Sequence, residues 1–495
     1  MEKQRYLCYK SIMAKFYITT AIPYVNAAPH IGHALEFIQT DVIARYHRQK
    51  GDEVLLLSGS DENAIKNVQA AEQAGVPTQQ FIDENAELFR KLAGVLGVQF
   101  DVFQKGSDKE HYVSSQKLWE LCSNAGDIYK KLYEGLYCVG CETFYAKDEL
   151  NENQECFEHP GKKLEMVAEE NYFFKLSKYQ DKLVGLIEKD ELRIVPATRK
   201  NEVLSFLQQP LQDISISRSN ERAKNWGVSV PSDDLQRMYV WFDALNIYQS
   251  GIGFGFNEET YKKWWPADVH VIGKGISRFH AVYWPAFLLS AGLSLPKTLF
   301  VHGYITVDGQ KMSKTLGNVI DPFELVEKYG TDAVRYFFSR EIPSTEDGDF
   351  SYEKFEGRYN ADLAGGLGNL VARVVTLATR EISNDQFLIS KQFSNKQFQN
   401  LIEKTRDEVQ QILDEFQFSV ALDKIWEIIH FCDKYIEEKR PWEESDHQKE
   451  VIGDLLLAVS HIAEFLQPFL PKTSEKITQQ LQQGKGESLF PRIET

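Results

Sequence analysis

The chain has 495 residues, 43% hydrophobic and 26% charged, the proportions of a folded globular protein and not of a disordered chain, a collagen or a disulfide mini-protein. At about 150 residues per domain the length predicts three to four domains. Lys and Arg number 56 against 72 Asp and Glu, a net charge of −16, which as an average argues against a surface coated for nucleic acid.

Residues 1–12 carry Lys3, Arg5 and Lys10 without an apolar run, so they do not read as a secretory signal. They precede a second methionine, Met13, and are expected to be a tail or a misassigned start. Residues 15–21 (KFYITTA) predict a strand, 22–30 a Pro/Asn-rich loop, and 31–49 a helix from the spacing of Ile31, Leu35, Ile38, Val42 and Tyr46. A short apolar strand at 54–57 and a helix at 61–74 follow. This alternation predicts a doubly wound, Rossmann-like parallel α/β sheet.

The pattern breaks near Leu132. Residues 132–175 are rich in Glu, Asn, Gly and Cys, and α/β character resumes at 238 (MYVWFDAL), 268 (DVHVIGKG) and 298 (TLFVHGYITV). After about residue 355 the apolar spacing is helical and predicts an antiparallel bundle, with a polar loop over 385–400. The expected division is a catalytic sheet over 13–115 and 236–305 split by an insertion at 116–235, a connector at 306–355, and a helical domain at 356–495. No window of about 18 consecutive apolar residues occurs, so no membrane association is expected. The most apolar stretch, 279–293, predicts a core helix.

Cys138-Val-Gly-Cys141 and Cys156-Phe-Glu-His159 are two ligand pairs whose spacing suits a tetrahedral Zn²⁺. Four protein ligands leave no open position, so one structural zinc is expected. Clustered thiols also fit a reducing cytoplasm, with Cys122 and Cys432 as buried single thiols. His30-Ile-Gly-His33 falls where the first strand leads into the first helix, a place where N–H groups and the helix dipole attract phosphate. Gly32 is expected to leave space there for a ligand. Lys311-Met-Ser-Lys314-Thr315 places two lysines on a turn able to neutralise charge on departing pyrophosphate.

In this order the two motifs form the HIGH and KMSKS-like signature pair of class I aminoacyl-tRNA synthetases. Residues 19–33 (TTAIPYVNAAPHIGH), 239–244 (YVWFDA), 279–284 (FHAVYW) and 302–307 (HGYITV) resemble the methionyl-tRNA synthetase family, and the resemblance runs from about residue 15 to 472. It implies that methionine is activated by ATP with Mg²⁺ as methionyl-adenylate and passed to the 2′-hydroxyl of the terminal adenosine of tRNA(Met), initiator and elongator. It implies catalytic roles for His30, His33, Lys311 and Lys314, with Gly32 and Ser313 also at ATP. The methionine pocket would comprise Ile22, Tyr24, Asp61, Trp241, Ala244, Leu245, Tyr248 and His280. Asp61 would hold the ammonium, aromatic walls would suit the thioether, and Tyr24 or His280 would offer sulfur a weak polar contact. Asn369, Arg373 and Trp442 match positions that read the anticodon. A tRNA face lined by Arg358, Arg373, Arg380 and the two motif lysines would be a local basic strip on an acidic protein.

The sequence departs from the family at Asn63-Ala64, where His-Gly is common, and at Gly275, where an acid is common. These departures raise the alternative of a silent RNA-binding paralogue, which the intact motifs oppose. A class I relative for another apolar amino acid is opposed by the short insertion and the pocket aromatics. The chain is expected to be monomeric, because it ends soon after the bundle, without the C-terminal dimerising module of some members.

Overall fold

The computed structural model describes residues 14–138, 143–145, 150–156, 161–312, 317–381, 392–443 and 446–494. Strands β1 (Lys15–Thr19), β2 (Glu53–Ser60), β3 (Val102–Lys105), β4 (Arg193–Val195), β5 (Val269–Gly273) and β6 (Thr298–His302) form a parallel sheet in the order β3-β2-β1-β5-β6-β4. β1 shows why it lies at the centre. Phe16 and Ile18 pack into the layer that holds the helix Ile31–Gln49, while Tyr17 packs into the opposite layer, so both faces are covered. The strand order reverses between β1 and β5, and a ligand crevice opens at the carboxyl ends of strands at such a switch point. The expected α/β sheet and the helix over 31–49 are both present.

The inserted region contains an antiparallel sheet of Thr143–Tyr145, Ile128–Cys138, Glu165–Phe174 and Ile214–Ser215. A second sheet joins Ser229–Val230, Asp233–Met238 and Ser217–Ser219. The insertion is not continuous over 116–235, because β4 returns from it to the edge of the central sheet, where Val195 pairs with Phe300. Three residues are too short to announce a strand by periodicity, and only the pairing with β6 defines it.

Ile305–Val307, Gln310–Lys311 and Gly348–Phe350 form a small connecting sheet. Helices Asn369–Glu381, Lys396–Asp414, Phe418–Lys439, Gln448–Leu466 and Pro471–Gln483 follow. The loop expected over 385–400 is shorter, since a helix begins at Lys396 with Asn395 as its cap; residues 382–391 lie outside the described part. By composition the helical stretch Tyr352–Arg380 is long and apolar enough to cross a bilayer, but Leu363, Leu367, Leu370, Val371, Val374 and Val375 are buried in the core. Cys122 and Cys432 are buried thiols, and desolvation pushes the Cys122 thiol up to about 12.

The bundle shares one hydrophobic core with the helix Ile31–Gln49. At the seam, fully buried Arg335 pairs with Asp41 at 2.7 Å and donates to the carbonyls of Phe469 (2.7 Å) and Pro468 (2.8 Å). Asp41 also accepts from Arg45 Nε at 2.6 Å. A helix with one end in the crevice is thus fastened along its length to the C-terminal helices.

Candidate active site

His30 caps the helix Ile31–Gln49 at the carboxyl end of β1. Its Nδ1 accepts from the Gly32 amide at 3.1 Å, and its own amide donates to His33 Nδ1 at 3.1 Å. These two bonds fix the tautomers: with Nδ1 as acceptor, each neutral ring carries its proton on Nε2. Desolvation, with the neighbouring His30 and His302, holds His33 well below the usual histidine range. The ring centroids are 4.0 Å apart. No acid stands in the first turn to oppose an anion. The space at Gly32 belongs to His30 and not to a ligand, because a Cβ there would lie 2.8 Å from His30 Cε1.

Behind these imidazoles, buried Glu36 accepts from the Ala21 amide at 2.9 Å and contacts His302 Nε2 at 2.9 Å. It joins the ends of β1 and β6 to the capped helix. In the sequence this link shows only as the HGYITV motif that starts at His302.

Ile22 and Tyr24 follow β1, and Asp61 follows β2. The Asp61 amide donates to the Pro23 carbonyl at 2.9 Å, which draws buried Asp61 beside Tyr24. Trp241 and Ala244 lie in the short helix Val240–Ala244, Leu245 caps it, and Tyr248 sits in the next turn, Ile247–Ser250. Trp241 stacks on Phe279 with centroids 3.7 Å apart and meets Tyr24 and His280 edge-on, each at 6.3 Å. Phe279 was absent from the sequence-derived set, although it stands beside His280 in FHAVYW.

His280 is buried, and desolvation lowers it to about 4. Its Nδ1 faces the Ile276 carbonyl at 3.0 Å, which can only accept, so Nδ1 carries the proton. Nε2 must then accept from the Tyr248 hydroxyl at 2.8 Å. His280 therefore has no N–H left for a sulfur, contrary to the expectation above. Next to this pair, His270 Nδ1 bonds Thr19 Oγ1 at 2.7 Å, while its buried Nε2 makes no hydrogen bond among the described residues.

The two departures have structural explanations. Asn63 is buried and donates to the Gly106 carbonyl (2.8 Å) and to Asp243 (2.6 Å), and accepts from Tyr112 (3.2 Å). Asp243 also binds His111 at 2.8 Å and Ser115 at 2.9 Å. Asn63 is thus committed to a buried polar network. Gly275 is covered by Tyr304, whose hydroxyl would lie 2.1 Å from a Cβ at that position.

Lys311 is exposed on the strand Gln310–Lys311, and Ser313 and Lys314 lie outside the described residues. Cys141 and His159 lie outside them too. Their expected co-ligands Cys138 and Cys156 are buried with sulfurs 3.2 Å apart, much longer than a disulfide bond. Among the described residues no group of three metal-binding side chains occurs.

In the bundle, Asn369 and Arg373 lie one turn apart on Asn369–Glu381, and Arg373 pairs with Asp433 at 3.2 Å. Trp442 is 47% exposed just past the helix Phe418–Lys439, which ends where Arg440 adopts φ 42°. Arg358 is engaged by Glu341 (2.8 Å) and Asp362 (3.3 Å), so its charge is largely answered within the protein.

A family model described as tRNA synthetases class I (M) matches residues 16–375, and one described as anticodon-binding domain of tRNA ligase matches 395–492. A methionine–tRNA ligase of Thermotoga maritima is 43% identical over 472 residues, 94% of this chain and 74% of that protein. One from Brucella suis is 41% identical over 94% of this chain and 91% of its own. The Mycobacterium tuberculosis methionyl-tRNA synthetase solved in complex with methionyl-adenylate superposes with a TM-score of 0.89 at 39% identity, over 94% of this chain and 93% of that one. The capped histidine helix at the switch point and the aromatic pocket beside it thus belong to a known line of enzymes, and the chain is a member of the methionyl-tRNA synthetase family of class I aminoacyl-tRNA synthetases.

Proposed function

We propose that the chain ligates L-methionine to tRNA(Met) in two steps at this site. A methionine carboxylate oxygen attacks the α-phosphorus of ATP, the α–β P–O bond breaks, and pyrophosphate leaves. The 2′-hydroxyl of the terminal adenosine then attacks the carbonyl carbon of the adenylate, loses its proton, and AMP departs. The observation that carries this reading is the pair of imidazoles protonated on Nε2 at a helix N-terminus, beside an aromatic pocket with a buried carboxylate. Such donors stabilise charge on the transferring phosphate without a covalent intermediate. Relatives named methionine–tRNA ligase, and a neighbour bound to methionyl-adenylate, support the substrate.

Asp61 holds the ammonium. Tyr24, Trp241, Tyr248 and His280 enclose the thioether, with Ile22, Ala244 and Leu245 completing the wall. His30 and His33 receive the phosphates, with Gly32 leaving room for the His30 ring that caps the helix, and Lys311, Ser313 and Lys314 close on the leaving pyrophosphate, whose charge Mg²⁺ shares. Asn369, Arg373 and Trp442 take the anticodon of both initiator and elongator tRNA, the exposed indole by stacking. Cys138, Cys141, Cys156 and His159 would hold one zinc, and two buried thiols already converging support that fit. When bound, zinc would stiffen a module with little core of its own. The chain works as a cytoplasmic monomer of 56.9 kDa. Methionine-dependent ATP–pyrophosphate exchange tests the reading, and absence of exchange with methionine would refute it. Metal analysis of the purified protein should find one zinc per chain; none would refute the zinc assignment.

A further inference from the structure

Asp61 and Asn63 stand two residues apart in the segment that follows β2, and Trp241 and Asp243 two residues apart in the helix Val240–Ala244. Asp61 and Trp241 are assigned to opposite ends of methionine, the ammonium and the thioether. Asn63 and Asp243 join the two segments, with Asn63 Nδ2 donating to Asp243 Oδ2 at 2.6 Å. The amide has one orientation that satisfies its partners. Its nitrogen lies against a carbonyl and a carboxylate, which only accept, and its oxygen against the Tyr112 hydroxyl. Both side chains are buried, where a hydrogen bond to a carboxylate is stronger than in water.

Other bonds hold the Asp61 segment to its own neighbours. The Asp61 carbonyl accepts from Asn67 Nδ2 at 2.9 Å, and the Glu62 carboxylate accepts from Ser60 Oγ at 2.7 Å and from the Ser107 amide at 3.1 Å. None of these reaches the helix Val240–Ala244. That helix is tied to the helix Lys109–Asn124 through the other oxygen of Asp243, Oδ1, which meets His111 and Ser115. A ligand that touches Asp61 and Trp241 at once needs them at a fixed separation, and the bond two residues away from each sets it.

We propose that Asn63 is a positioning residue for methionine: through its bond to Asp243 it fixes Asp61 against the aromatic wall, so that ammonium and thioether are gripped together. The proposal rests on the methionine reading above.

The test measures the affinity of the full chain for methionine and for desamino-methionine, which keeps the thioether and the carboxylate but lacks the ammonium, alongside urea unfolding. A hydrogen bond to a charged group is worth roughly ten- to a hundredfold in affinity, and the wild type should prefer methionine by that factor. Asn63→Ala should lower the preference at least about fivefold and leave the affinity for the analogue unchanged. It also strands the Asp243 carboxylate and should lower the urea midpoint. Adding Asp243→Asn removes the stranded charge, so the double variant should regain stability but not the preference; it carries the test if the single variant does not fold. Tyr112→Phe, which removes only the bond to the Asn63 oxygen, should keep the preference. If the preference returns with stability in the double variant, or Asn63→Ala weakens both ligands equally, Asn63 is structural and the assignment fails while the enzyme reading stands. If the wild type shows no methionine-dependent exchange, both fail.

Discussion

Replacing Arg335 by Met tests whether the helix Ile31–Gln49 is held at its seam with the C-terminal helices. The guanidinium is fully buried, with three bonds of 2.7–2.8 Å to Asp41, Phe469 and Pro468 and a longer one of 3.3 Å to the Leu96 carbonyl. Methionine fills much of the volume but satisfies none of the acceptors. Breaking a buried pair from one side costs about 3–5 kcal/mol, because a buried charge is stranded. Arg45 still reaches Asp41 at 2.6 Å and shares that charge, which favours the lower end, about 3 kcal/mol. Adding Asp41→Asn removes the stranded charge, so the double variant should recover about 1–2 kcal/mol. Urea unfolding followed by tryptophan fluorescence measures both. A loss below about 1 kcal/mol for Arg335→Met, or a double variant no better than the single, would show that the network does not hold the seam.

Three further outcomes follow from the site. Gly32→Ala should cost about 1 kcal/mol, since the methyl displaces the His30 cap, and should slow exchange; unchanged stability and rate would contradict the steric role of Gly32. Stability should fall as pH drops from about 6.5 to about 4: unfolded His280 takes a proton near 6.5 but the folded residue only near 4, so protons favour the unfolded chain by up to about 3 kcal/mol. His33 and His270, also lowered by burial, add to the same slope; melting measured against pH in wild type and His280→Asn checks it, and an equal slope in both would refute the His280 contribution. Lys314→Ala should slow adenylate formation much more than it weakens methionine binding, and equal losses in single-turnover kinetics and in titration would reject its proposed role.

The sequence by itself determined whatever depends on neighbours along the chain. Apolar spacing marked the helix over 31–49 to the residue, the run at 54–57 marked the core of β2, and the motifs named His30, His33, Tyr24, Asp61 and Trp241, which stand near the carboxyl ends of the central strands. Burial of Cys122 and Cys432 followed from the preference of single thiols for the interior. Tertiary structure decided whatever depends on partners distant in sequence. β4 exists only because β6 offers it an edge. Asn63 looked like a damaged motif until Asp243, far along the chain, came within 2.6 Å. His280 looked like a donor until Ile276 and Tyr248 engaged both its nitrogens. Arg335 gave no signal at all, because an arginine in a helix is ordinarily solvated; only the fold removed water from it and supplied a carboxylate and carbonyls in exchange. Periodicity reports which face of an element is apolar, but the protonation state and partner of a buried polar group are fixed by atoms that the fold alone brings together.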